Sequence, residues 1–278
     1  MKGVEKVMKP KLQNEAFERK KRIEENLKKI KHKIVIFSGK GGVGKTTFAV
    51  NFAYTLSKKG YKIGILDGDI TGPNVPKMVG LNSPLEVTED KRIMPANING
   101  VFVVSLATIL PPDAPVIWKG PLRSVALEQF LGDVVWKELD ILVADLPPGT
   151  GDEVLTLVQT MKPDAAIIVS TPQKVARLDS SRAVNMAKTM QIKYIFLVEN
   201  MSYLVCSHCG KEIDLFGKGT IETEAVRLGV NYLGSIPFDS EMRVLLDEGK
   251  SIINEKENAE ITRIYRDISD KVIKTIEI

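Results

Sequence analysis

The chain has 278 residues, 44% of them hydrophobic and 27% charged, with 39 Lys/Arg against 35 Asp/Glu for a net charge of +4. That composition excludes collagen-like, disulfide-rich and wholly disordered chains, and two cysteines as close as Cys206 and Cys209 cannot staple distant segments together. The longest apolar stretches, Val101 to Val104 and Leu106 to Leu110, fall far short of the roughly 18 to 20 residues that span a bilayer, and the N-terminus leads into no signal-peptide core, so a cytoplasmic protein is expected.

Residues 1–33 hold twelve Lys/Arg and five Glu, a local charge of +7 that leaves −3 for the rest. The acids are interspersed and Phe17 is the only aromatic, so bases have little to stack on. Residues 1–32 therefore read as a basic tail, partly helical or mobile, with neither nucleic acid nor a membrane as its partner. From residue 33 to 278 short Val/Ile-rich runs alternate with helix-length segments, which predicts one α/β domain built on a doubly wound, mainly parallel sheet with helices on both faces. Strands are expected at Lys33 to Ser38, Lys62 to Leu66, Val101 to Val104, Asp140 to Ala144, Ala165 to Val169, Tyr194 to Val198 and Tyr232 to Ile236. Helices are expected at Thr46 to Lys59, Leu122 to Leu131, Asp152 to Met161, Val175 to Met190 and Ala259 to Lys274, with Lys77 to Gly100 an irregular connection holding a short hairpin. In the last helix Ile261, Ile264, Tyr265, Ile268, Val272, Ile273 and Ile276 recur at helical spacing, but the polar face lacks a basic excess, so packing on the sheet is favoured over a membrane surface.

Between the first predicted strand and helix runs Gly39-Lys40-Gly41-Gly42-Val43-Gly44-Lys45-Thr46-Thr47, a match to G-x-x-x-x-G-K-T. Glycines let backbone N–H groups turn inward on phosphates, the helix N-terminus adds a positive dipole, Lys45 reaches the terminal phosphates of a nucleotide, and the Thr46 hydroxyl suits Mg²⁺. The string resembles the deviant Walker A signature of the MinD/ParA/nitrogenase-iron-protein class. That resemblance implies that Lys40 crosses a dimer interface to act on the partner's nucleotide, in the manner of an arginine finger supplied in trans.

Two acidic segments follow predicted strands, where a phosphate-loop fold needs them. In Leu66-Asp67-Gly68-Asp69, resemblance to the first switch of the class makes Asp69 the candidate that orients the attacking water, with Asp67 supporting the loop or the water shell of the metal. In Ala144-Asp145-Leu146-Pro147-Pro148-Gly149, Asp145 ends an apolar run in the Walker B manner and would hold Mg²⁺ through water, while Gly149 lets a backbone N–H approach the terminal phosphate. Asn200, after the sixth predicted strand, has an amide able to donate to and accept from an adenine edge, the role of an asparagine here in the class.

The segment 200–218 contains Cys206-Ser207-His208-Cys209, two thiolates aimed at one centre. Taken alone the pair leaves zinc, redox and iron-sulfur chemistry open, and His208 sits too tightly between the cysteines to join them comfortably in tetrahedral ligation. Together, the phosphate loop, Asp67-Gly68-Asp69, Asp145 to Asp152, Glu199-Asn200-Met201-Ser202-Tyr203, the cysteine pair and Ile236-Pro237-Phe238-Asp239 resemble the Mrp/ApbC family of P-loop iron-sulfur carriers over about residues 30 to 255. The resemblance implies a homodimeric ATPase that binds a 4Fe-4S cluster and transfers it to apoproteins, with upstream cluster donors as further partners. A cubane needs four external ligands and the chain has two cysteines, so an all-cysteine site draws Cys206 and Cys209 from each of two subunits. Two departures stand out: without an N-terminal cysteine motif the additional cluster of some members is expected to be absent, and no obvious additional N-terminal domain is expected. The competing expectations are a positioning ATPase like MinD or ParA, and a structural dimer stapled by zinc.

Overall fold

Period-two alternation in the strands deals their side chains to two opposite layers. In β1 (Ile30–Phe37), Val35 and Phe37 join one apolar layer while Ile34 and Ile36 join the other; β5 (Leu139–Asp145) repeats the division with Leu142 and Ala144 against Ile141 and Val143. The computed structural model describes residues 17–69, 72–105, 108, 127–128, 130–206, 208–217 and 219–278. Among these, β2 (Ile63–Asp67), β3 (Ala96–Ile98), β4 (Val101–Ser105), β6 (Ala165–Ser170), β7 (Tyr194–Val205), β8 (Glu212–Ile213) and β9 (Asn231–Phe238) complete one sheet. Its order is β3-β4-β2-β5-β1-β6-β7, with β8 and β9 both paired to β7; β3 and β8 run antiparallel to their neighbours and every other pairing is parallel. This is the doubly wound sheet expected from the sequence.

Helices α1 (17–27), α4 (127–133, residue 129 excepted), α5 (Asp152–Met161), α6 (Lys174–Thr189) and α7 (Thr220–Leu228) cover the layer that contains Phe37 and Trp136. The opposite layer, with Phe48, Phe52 and Tyr265, lies under α2 (Lys45–Lys58), α3 (Val75–Val79), α8 (Ser240–Asp247), α9 (Ile252–Glu255) and α10 (Glu260–Ile276). Burying both faces in this way accounts for strands as apolar as β6, in which every residue is buried. In α10 the stripe of Ile261, Tyr265, Ile268, Val272 and Ile276 is buried against α2 and β9, so packing on the sheet is the outcome. Among the described residues no helix is long and apolar enough to cross a membrane.

Several boundaries differ from the sequence expectation. β7 does not stop at Val198 but continues to Val205, so Asn200 lies within a strand and not in a loop after it. The strand survives its polar residues because Met201 takes a left-handed conformation (φ 55°) and the pairing with β9 shifts register between Asn200 and Leu204, a bulge that absorbs the irregularity. β8, α3, α7, α8 and α9 lie outside the expected elements. The expected hairpin is the β3–β4 pair, turned by Asn99 and Gly100 at positive φ (49° and 88°), and Val87 also bridges Ile93. Of the helix expected at Leu122 to Leu131, positions 122–126 and 129 lie outside the described residues. The second half of the basic leader is α1, in which Ile23 and Leu27 are buried and the Asn26 amide donates to the carbonyls of Leu131 (3.3 Å) and Gly132 (2.8 Å).

Candidate functional site

Parallel strands place their carboxyl ends side by side, and three of them converge here. Asp145 is the register partner of Asp67 on β2 and of Ile36 on β1. The ends are stitched by backbone bonds: Leu146 N–H to Ile36 O (2.9 Å), Gly68 N–H to Asp145 O (2.8 Å) and Gly149 N–H to Ser38 O (2.8 Å). Gly39 to Gly44 wrap over this edge into α2. Gly42 and Gly44 take positive φ (77° and 79°), which glycine adopts at no steric cost, and Gly44 starts the helix with no side-chain cap and no acid in the first turn. The helix therefore keeps its first N–H groups and positive dipole end for an anion. Gly39 is required by contact, since a Cβ there would lie 2.3 Å from the Asp179 carbonyl oxygen of α6.

Lys45, only 7% exposed, lays its Nζ 2.5 Å from Asp145 Oδ1, and the Thr46 hydroxyl donates to Asp145 Oδ2 at 2.7 Å. Burial pushes the Asp145 carboxyl up, Lys45 and Thr46 pull against that push, and the nearby charge of Asp69 adds to it. Asp67 is also buried; it accepts from Ser105 Oγ (3.0 Å), Asp69 N–H (3.2 Å) and Val75 N–H (3.3 Å). Burial, reinforced by the charge of Asp145, raises it to about 8. In the metal-free protein Asp67 thus holds a proton that the unfolded chain releases near its ordinary 3.8. Its contribution to stability is complete below pH 4 and is lost as pH rises through about 8. The thermal midpoint without metal or nucleotide is expected to drop between pH 5 and 9 more steeply in wild type than in Asp67→Asn. Identical pH profiles for the two proteins would remove this assignment.

Asp69 is partly exposed and its Oδ1 accepts from Gly72 N–H (3.1 Å). Lys40 projects from the loop, its Nζ donating to Gln173 Oε1 at 2.8 Å, just before α6. The Asn200 amide donates to Val43 O at 2.8 Å, beneath the phosphate loop. Lys45, Thr46 and Asp145 are therefore brought into direct contact, Asp67 and Asp69 border them, and Lys40 and Asn200 flank the loop. Gln173, Ser105 and Glu199 were not singled out from the sequence, because each gains its role from a partner on another strand or loop that local spacing does not encode.

Beyond Asn200, β7 runs to Val205 and pairs Leu204 and Val205 with Ile213 and Glu212, so the cysteines sit at the tip of a hairpin. Cys206 N–H bonds Lys211 O and Gly210 N–H bonds Cys206 O, each at 2.9 Å. Backbone N–H groups of Cys209 and His208, with the Cys209 thiol, hold the Cys206 thiol below the usual range and so favour the thiolate that binds metal. Cys206 is partly exposed, and Cys209 and His208 are exposed. Among the described residues no three His, Cys, Asp or Glu side chains form a metal cage.

A family model described as ParA: NUBPL iron-transfer P-loop NTPase matches residues 29–273. The iron-sulfur cluster carrier protein of Pyrococcus horikoshii is 47% identical over 268 residues, covering 92% of this chain and 90% of that one. The iron-sulfur cluster transfer protein NUBPL of Dictyostelium discoideum is 41% identical over 251 residues, covering 90% and 78%. Among solved structures, a nucleotide-binding protein from Archaeoglobus fulgidus in complex with ADP superposes with a TM-score of 0.76 at 36% identity, over 88% of this chain and 96% of that one. The cell division ATPase MinD of Pyrococcus furiosus, at 21% identity and a TM-score of 0.66 over 88% and 99%, shares the fold.

Proposed function

Because the chain belongs to the NUBPL iron-transfer P-loop NTPase family, we propose that it is a cytoplasmic ATPase that carries a 4Fe-4S cluster between two copies of itself and delivers it to apoproteins. One observation carries the reading: β7 bonds the phosphate loop through Asn200 and ends in the hairpin of Cys206 and Cys209, so nucleotide and cargo sites share a strand. The cluster is cargo, taken from an upstream donor and passed to an acceptor, and ATP is the substrate.

The donor set fits magnesium, because Thr46 Oγ1 and Asp145 Oδ2 are hard oxygens facing one another. When bound, the ion neutralises charge on the β and γ phosphates. Thr46 would hold it directly and Asp145 through water. Lys45 exchanges its buried carboxylate partner for those phosphates, while the N–H groups of Gly41 to Thr47 line the cradle. Gly149 gives up Ser38 O to turn its N–H toward the terminal phosphate. Asp69 orients the attacking water and accepts its proton, and Asn200 offers its amide to adenine. Lys40 leaves Gln173 and reaches the partner's nucleotide.

Anaerobic iron-sulfur reconstitution, followed by visible spectroscopy and transfer to an apo-acceptor, tests the reading. Stoichiometric zinc with no iron uptake would favour the zinc-stapled dimer. For Lys40, alanine is expected to leave nucleotide binding intact and to slow hydrolysis by about 10³-fold, the lower range of a finger supplied in trans. Asp69→Asn should bind nucleotide and hydrolyse slowly, the amide being unable to take the water's proton. In a heterodimer of the two variants one site regains both groups and activity returns; verified heterodimers without recovery would show that Lys40 acts in cis.

A further inference from the structure

Glu199 is a wholly buried carboxylate that the nucleotide chemistry leaves unused. Its Oε1 accepts from Ser202 Oγ at 2.5 Å and from Ser235 Oγ at 3.2 Å, and its Oε2 accepts from the backbone N–H of Ile221 at 3.1 Å. Ser202 immediately precedes, and Ile221 in the first turn of α7 immediately follows, the excursion 203–220 that carries both cysteines and β8. A single carboxylate thus ties together the two ends of that excursion and fastens them to β9 through Ser235. The bond to α7 is reinforced by the positive end of the helix.

The adjacent residue, Asn200, is bonded to Val43 of the phosphate loop. Contact between loop and strand is close: a Cβ on Gly44 would lie 2.2 Å from Asn200 Nδ2 and 3.3 Å from Met201 Cε. Met201, in its left-handed conformation, is held between these two anchors, Asn200 on the loop and Ser202 on Glu199. A non-glycine residue in that region stays there only when its surroundings fix it. A shift of the phosphate loop therefore displaces Asn200 and the bulge together, and Glu199 is the group that ties the bulge to both ends of the cysteine excursion.

We propose that Glu199 is a positioning residue that transmits the state of the phosphate loop to the cysteine pair by holding both ends of the excursion 203–220 on the strand that carries Asn200. The proposal rests on the carrier reading for its purpose, but its test needs no iron. Gln at this position keeps the shape and one accepting oxygen, but its NH₂ faces at least one of the donors, so the clamp opens at one end.

Cys206 and Cys209 are the only cysteines in the chain, so alkylation of the full-length, cluster-free protein by iodoacetamide reports on this excursion alone. With Mg²⁺ and a non-hydrolysable ATP analogue, the wild-type labelling rate is expected to change about fivefold or more, the lower range of coupling between sites. In Glu199→Gln the rates with and without the analogue should converge, while affinity for the analogue stays within about threefold. Ser202→Ala, which removes one tie without leaving a buried donor unpaired, should reduce the nucleotide effect in the same direction and serves if Glu199→Gln does not fold. Ser235→Ala, which spares both ends of the excursion, should retain it. A purely structural role would shift both rates of Glu199→Gln by the same factor and preserve their ratio; that result, or wild-type labelling indifferent to the analogue, overturns the proposal. Failure to take up iron while labelling remains nucleotide-dependent would sink the carrier reading and leave this one standing.

Discussion

Replacing either Cys206 or Cys209 by alanine is expected to abolish stable cluster binding while leaving nucleotide affinity close to wild type. The cysteines sit at a hairpin tip with Cys206 partly exposed and Cys209 exposed, so neither supports the core and either can be removed without a cavity. A cubane requires four external ligands, and one hairpin offers two thiols, so a dimer supplies a complete set and a single substitution removes two ligands by symmetry. Reconstituted wild type should hold about four iron atoms per dimer, and each variant close to none. Four irons on an isolated monomer, or a cluster retained without both cysteines, would overturn the shared site.

Lys45→Ala is expected to weaken Mg²⁺-ATP binding by at least about 100-fold, the equivalent of roughly 3 kcal/mol for a charge-assisted contact in a desolvated site. The structure adds a second consequence. Lys45 is the cation against which the buried Asp145 is set, and removing one member of a buried pair costs about 3 to 5 kcal/mol. The variant should therefore be less stable even without nucleotide. Adding Asp145→Asn to it should recover much of that stability without restoring affinity, which separates the folding role of the lysine from its binding role. Unchanged equilibrium binding in Lys45→Ala would remove the basis of the nucleotide assignment.

The placement of the phosphate loop, Asp67, Asp69 and Asp145 was legible because its signals are local: glycines at fixed offsets between a strand and a helix, and acids at the ends of apolar runs. Strands such as β2 and β6 were legible for the same reason, being short, fully buried and rich in branched residues. What escaped was set by pairing across the sheet. The second half of β7 contains Glu199, Asn200 and Ser202, which break the apolar run, yet it remains a strand because β8 and β9 supply partners and Glu199 finds three donors. Gln173 escaped because its role depends on Lys40, which is remote in sequence. α7 and α8 are short helices whose buried faces are only a few residues wide, too little for periodicity to register. The Asn99-Gly100 turn joins β3 to β4 at the end of the stretch expected to be irregular with a short hairpin.

The basic leader has a bearing on how the molecule can be dissected. Lys20, Lys21, Arg22, Lys28 and Lys29 are exposed, but Ile23 and Leu27 of α1 lie in the same apolar layer as Phe130, Leu131 and Trp136, and Asn26 closes the carbonyls of Leu131 and Gly132. Arg92 in turn donates to Asn26 Oδ1 at 3.2 Å. Cutting the chain just ahead of the first strand, where charge alone would draw the border, strips a lid from the sheet and leaves a greasy wound beside unanswered carbonyls. A fragment that keeps this face sealed must retain α1, and the P-loop NTPase core and this helix share one fate in the test tube.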